Sequence, residues 1–151
     1  MIRKVFTPIS VFLILLFMAA CKPVKDENTI RQFFTLLNET KYDEALKLTE
    51  GNAEILMREL TKGQSADVAA IVFKNLVLDK VSKDELLTSM EKEARIYKAG
   101  YHLELKDKNI RPEVEKLLSK VGNGEALVYV NKKTGKITSL IDLKGGVFVA
   151  L

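Results

Sequence analysis

Only one side chain in this sequence titrates near neutrality in its ordinary state, His102, and only one carries a thiol, Cys21. A lone His provides no His–His zinc pair, and a lone Cys provides neither an internal disulfide nor a multi-Cys metal site. By alternation His102 falls on the polar side of a strand beside Glu104, where a surface or rim position accounts for it without a catalytic duty. Carboxylates come in pairs, Asp84 with Glu85, Glu91 with Glu93 and Glu113 with Glu115, each in a helical stretch dense in Lys. General acid–base work needs burial to separate two carboxyl pKa values, and solvated helix faces explain these pairs more simply. No Gly-x-Ser-x-Gly surrounds any Ser, and no Gly-rich run follows a strand into a helix, so the hydrolase elbow and the nucleotide loop are absent from the sequence. Lys132, Lys133 and Lys136 make a small basic hairpin tip, fit either for anionic lipid head groups, for a wall polymer, or for plain solvation of a turn. These residues point to no catalytic group, no cofactor and no metal.

Cys21 has a more specific setting. Met1-Ile2-Arg3-Lys4 is a short cationic start, Val5 to Ala20 carries no charge, and Ala19-Ala20-Cys21 leads at once into polar Lys22-Pro23-Val24-Lys25. A basic end, an apolar run, small residues and a polar continuation make a secretory signal. The apolar run is short for a permanent span, which wants ~20 residues, and it contains Pro8. Met18-Ala19-Ala20-Cys21 resembles the lipobox of bacterial lipoproteins, with Met18 where Leu is usual. That resemblance implies cleavage before Cys21, lipidation of its sulfur and amino terminus, and residence on the extracytoplasmic side of a membrane. In a cell with two membranes, Lys22 resembles the residue after the Cys in lipoproteins sent to the outer membrane, facing the periplasm. The chain then divides into a signal peptide at 1–20, a tether at 21–28 and one domain at 29–151.

With Arg3 and Lys4 removed, 22 Lys and Arg stand against 20 Asp and Glu, too small an excess for a nucleic-acid partner. The domain reads as helices first and strands last. Asp26 can cap a helix carrying Ile30, Phe33, Phe34 and Leu37; Tyr42, Ala45, Leu46 and Leu48 mark a second, ending near Gly51. Asn52 can cap a third with Ile55, Leu56 and Leu60, stopped by Gly63. The apolar stretch from Ser65 to Leu78 reads as a helix covered on most sides, or as extended chain over Leu76–Val81. Ser82-Lys83-Asp84-Glu85 is a capping box, and Leu87, Met90, Ala94 and Tyr97 place a helix behind it, ended by Gly100. A strand over Tyr101, Leu103 and Leu105 follows, then a short helix from Pro112 to Val121. Strands at Ala126–Val130, Ile137–Leu143 and Val147–Leu151 close the chain, the first two joined by a turn at Asn131–Gly135.

This order is α+β: N-terminal helices packed on a small C-terminal antiparallel sheet. Ile30-Arg31-Gln32-Phe33-Phe34, Lys41-Tyr42-Asp43-Glu44-Ala45-Leu46-Lys47-Leu48-Thr49 and Gly135-Lys136-Ile137 resemble segments of small lipoproteins with the nuclear-transport-factor-like, or cystatin-like, cone. The long helical middle departs from that family, and a helical domain with an added three-stranded meander is the alternative. The expected function is a membrane-anchored, non-enzymatic binding or interaction module that meets a protein or envelope component. The other expectation, implied by the cone, is a small-molecule pocket, possibly enzymatic, lined by Phe33, Phe34, Tyr97 and Tyr101 with His102 pointing in.

Overall fold

The computed structural model describes residues 25–62, 71–82, 93–106 and 122–145. Three helices come first: α1 (Lys25–Asn38), α2 (Tyr42–Lys47) and α3 (Gly51–Thr61). Four strands follow, β1 (Ile71–Lys80), β2 (Ala94–Leu105), β3 (Asn123–Asn131) and β4 (Ile137–Lys144), in an antiparallel sheet of order β1-β2-β3-β4. The α+β order read from the sequence is the architecture observed.

Ile30, Phe33, Phe34 and Leu37 do form the buried stripe of α1, and they face Phe73, Tyr97, Ala99, Tyr101, Val128 and Val130 of the sheet. Phe34 meets Phe73 edge-on at 5.2 Å between ring centres, and Phe73 meets Tyr101 at 5.1 Å. These edge-to-face contacts add ~0.5–1.5 kcal/mol each beyond the area they bury. Asp26 does not cap the helix. It lies in the first turn, 1% exposed, and accepts from Arg95 of β2, because a guanidinium stabilises a buried carboxylate more than a backbone N–H does. Helix α1 also begins at Lys25, inside the segment assigned to the tether.

The end of α1 is a Schellman motif: Lys41 N–H donates to Leu36 O at 2.9 Å and Thr40 N–H to Leu37 O at 3.0 Å. Thr40 occupies the left-handed position, φ 58°, where glycine is usual. Asn38 then fastens the helix to β1, donating to Phe73 O and accepting from Phe73 N–H, both at 2.8 Å. Its amide is thereby committed to the fold.

Helix α3 starts after extended Glu50 rather than at an Asn52 cap, and it buries Ala53 and Met57 while Ile55 is 61% exposed. The stripe expected at Ile55 is displaced because Ala53 and Met57, four apart, share the face turned to the sheet. The linker before α3 adds a short rung to the free edge of β4: Ile137 N–H donates to Leu48 O at 2.9 Å and Glu50 N–H to Ile137 O at 2.8 Å.

Two helical readings are corrected. Ile71–Lys80 is a strand, with Ile71 and Phe73 buried and Val72 and Lys74 turned away, a period of two that the run of apolar residues concealed. Ala94–Gly100, read as the end of the capping-box helix, belongs to β2, where Tyr97, Ala99, Tyr101 and Leu103 all face the helices. The β3–β4 hairpin is as expected, with Gly135 N–H donating to Asn131 O at 2.9 Å and Gly135 at φ 71°. The signal peptide, Cys21, Lys83 to Glu91, the Pro112–Val121 helix and the Val147–Leu151 strand lie outside the described residues.

Candidate functional site

His102 sits on the sheet face opposite the helices, between Lys74 of β1 and Asn123 of β3 in register. Its Nδ1 is 2.8 Å from Asn123 Oδ1, so this nitrogen carries the proton and donates to the amide oxygen. Around it, Asn75, Gly100, Gly124 and Glu125 help form a shallow open cleft of about 340 Å³. The amide partner fixes the orientation of the imidazole. The Glu104 beside it is engaged with Lys74, and Glu125 with Lys98 at 2.9 Å. The cleft therefore offers a positioned, half-buried imidazole among satisfied charges, chemically suited to hydrogen bonding.

Phe33, Phe34, Tyr97 and Tyr101, expected in the wall of an internal pocket, pack into one buried cluster instead, and His102 points to the other side of β2. Of the carboxylate pairs, only Glu93 belongs to the described residues; it is exposed and 3.7 Å from Lys133 Nζ. Among the described residues no three His, Cys, Asp or Glu side chains gather as a metal site would require.

The basic hairpin tip gains neighbours that the sequence conceals. Lys25, the first residue of α1, lies against it: a methyl group added at Gly135 would stand 3.9 Å from the Lys25 Cε. Beside Lys25, Asp26 accepts from Arg95 Nη2 at 2.9 Å, from Arg95 Nε, and from Tyr97 Oη at 3.2 Å. Burial pushes the Tyr97 hydroxyl up to about 12, and the Asp26 carboxylate adds to that shift. The Arg95 guanidinium is held charged chiefly by its hydrogen bonds to Asp26. A cavity of about 220 Å³ opens between Lys80, Val81, Arg95, Ile96 and Lys132, lined by both apolar and basic side chains. Glu50 is turned into the hairpin, accepting from Asn131 Nδ2 at 2.7 Å and Thr134 Oγ1 at 3.1 Å. Thus the helix start, the end of β1, the start of β2 and the β3–β4 tip converge at one end of the domain. No sequence periodicity signals that convergence, because it depends on a sheet register linking residues about seventy positions apart.

Comparison with known proteins adds no family: no family model, no curated protein and no solved structure matches this chain.

Proposed function

We propose that the protein is a lipoprotein anchored through Cys21 on the extracytoplasmic face of a membrane, where its α+β domain acts as a non-enzymatic binding or interaction module. The observation that carries this reading is the only cysteine of the chain standing directly after an apolar run and Ala19-Ala20. Several acyl chains on one terminus, at ~0.8 kcal/mol per buried methylene, hold a protein on a bilayer essentially permanently. In a cell with two membranes, Lys22 assigns it to the outer one, facing the periplasm. The non-enzymatic part rests on His102, whose partner is an amide rather than an acid or a nucleophile. The internal-pocket alternative has less support, since the side chains named for its wall pack on one another.

Growth with a fatty-acid tracer tests the anchor. The parent should be labelled and membrane-bound, and Cys21→Ser should remain an unlabelled precursor; normal labelling of that variant overturns the reading. For the domain, His102→Ala should fold and retain any phenotype of the parent. A folded His102→Ala variant that behaves as a null allele would establish chemistry at the cleft and retire the non-enzymatic reading.

A further inference from the structure

The end of the domain nearest Cys21 carries a set of cations, three of them exposed and joined to no described carboxylate. Lys25, Lys80 and Lys136 are exposed and make no salt bridge with any described residue. Lys133 is exposed as well and forms a long ion pair with Glu93 at 3.7 Å, and Lys132, which has an interaction of its own, stands at the same tip. Four carboxylates share this end, and each is set back or occupied. Asp26 is buried against Arg95, Glu50 is bonded to Asn131 and Thr134, Glu93 faces Lys133, and Glu27 is half-buried in the first turn of α1. A fifth, Asp79, is exposed just before Lys80 and stands opposite Lys98 in register, whose ammonium is bonded to Glu125, so it offsets one of these positive charges. At the opposite end Lys41 and Lys74 are joined to Glu39 and Glu104, Lys106 donates to Asn38 O, and Lys144 is exposed, so it is the short tether to Cys21 that sets the two ends apart.

The chain itself brings this end to a surface. Three residues separate Cys21 from Lys25, so the four Cα–Cα steps between them span no more than about 14 Å of extended backbone. That is under two Debye lengths at physiological salt, where one is ~8 Å. We infer that Lys25, Lys80, Lys133 and Lys136 form a membrane-apposition surface that meets anionic phospholipid head groups. It holds the anchored domain in one orientation, with the β3–β4 tip against the bilayer and the β4 end at Lys144 away from it. The inference rests on the anchoring reading only in that Cys21 is held at a bilayer. Electrostatics need not recruit the protein, since the anchor does that; it need only bias orientation. Each lysine near an anionic surface is worth about fivefold, so even a surplus of one or two positive charges gives about a five- to twenty-five-fold preference.

The sequence contains no Trp, so single Trp residues report position cleanly. Asn28→Trp places one at the tip end, exposed in the first turn of α1 near Lys25, and Leu143→Trp places one at an exposed site toward the far end of β4. The full chain carrying either change is reconstituted in vesicles containing a dansyl-labelled head group, and energy transfer from Trp is measured. With about 30% phosphatidylglycerol at low salt, transfer from the tip should exceed that from position 143 by about twofold or more. The difference should vanish in phosphatidylcholine alone, at about 1 M salt, and with Lys25→Glu, Lys133→Glu and Lys136→Glu combined, provided melting shows that variant folded. Equal transfer from both positions in anionic vesicles overturns the inference, and so does a tip preference that survives in phosphatidylcholine or at high salt. Only protein that floats with the vesicles is compared, and acylation at Cys21 is read separately by the fatty-acid tracer, so failure of the anchor and failure of this inference are distinguished.

Discussion

Asp26 and Arg95 join the first turn of α1 to the first turn-side residues of β2 through two hydrogen bonds to the two carboxylate oxygens, one of them 2.9 Å long. The pair is asymmetric. Asp26 is 1% exposed, whereas the Arg95 side chain is 33% exposed and reaches water. Removing Arg95 strands a carboxylate with only the Tyr97 hydroxyl, but removing Asp26 leaves a guanidinium that can still hydrate. Arg95→Ala should therefore destabilise by about 3–5 kcal/mol, the range for an uncompensated buried charge, and Asp26→Ala by clearly less. Denaturant unfolding of both variants checks the order, and the reverse order would show that Arg95 is the buried partner.

Alkaline pH should weaken the same cluster. The Tyr97 hydroxyl lies near pH 12 in the folded chain, against about 10 when unfolded, because burial and then the Asp26 charge disfavour the phenolate. A raised value means that the contribution is complete below about pH 10 and is lost as pH rises toward about 12, amounting to a few kcal/mol. Stability measured across that window should fall, and Tyr97→Phe should fall less steeply. Asp26→Asn should bring the Tyr97 titration, read by tyrosinate absorbance, to lower pH.

Tyr101 and Gly124 are cross-strand partners on β2 and β3, and the ring covers the glycine so closely that a Cβ there would sit 2.1 Å from Cε2. Gly124→Ala should cost about 1–3 kcal/mol through overpacking. Tyr101→Leu should recover part of that loss in the double variant, giving a coupling energy of about 0.5 kcal/mol or more in a double-mutant cycle. Strict additivity would contradict the contact.

Thr40 ends α1 at φ 58°, a strained position for a β-branched residue. Its side chain makes only a local bond to Glu39 O. Thr40→Gly should raise stability by up to about 1 kcal/mol, with a matching rise in melting temperature.

How far the sequence determined these features varies along the chain. Helix α1 was legible because Ile30, Phe33, Phe34 and Leu37 repeat at helical spacing and end at turn residues. The β3–β4 hairpin was legible because Asn131 to Gly135 separates two β-rich runs. Strand β2 was not. Met90, Ala94 and Tyr97 fit a helical stripe, while Ala99 and Gly100 are weak strand formers, so local pattern and tertiary placement disagree. An interior position between β1 and β3 overrides propensity there. Similarly, Asp26 looks like a cap until the register of β2 places Arg95 beside it. The lysine tip was visible as a charge cluster, but its union with Lys25 and Lys80 depends on which ends of α1 and β1 the fold brings to the hairpin.

The anchor is the centre of this account, and intact mass spectrometry of the protein purified from detergent-solubilised membranes tests it most directly. The account predicts a chain beginning at Cys21 whose mass exceeds that of residues 21–151 by a diacylglyceryl group, with or without a further acyl chain. A chain that retains Met1 to Ala20, or one cleaved near Cys21 with an unmodified thiol, would contradict it.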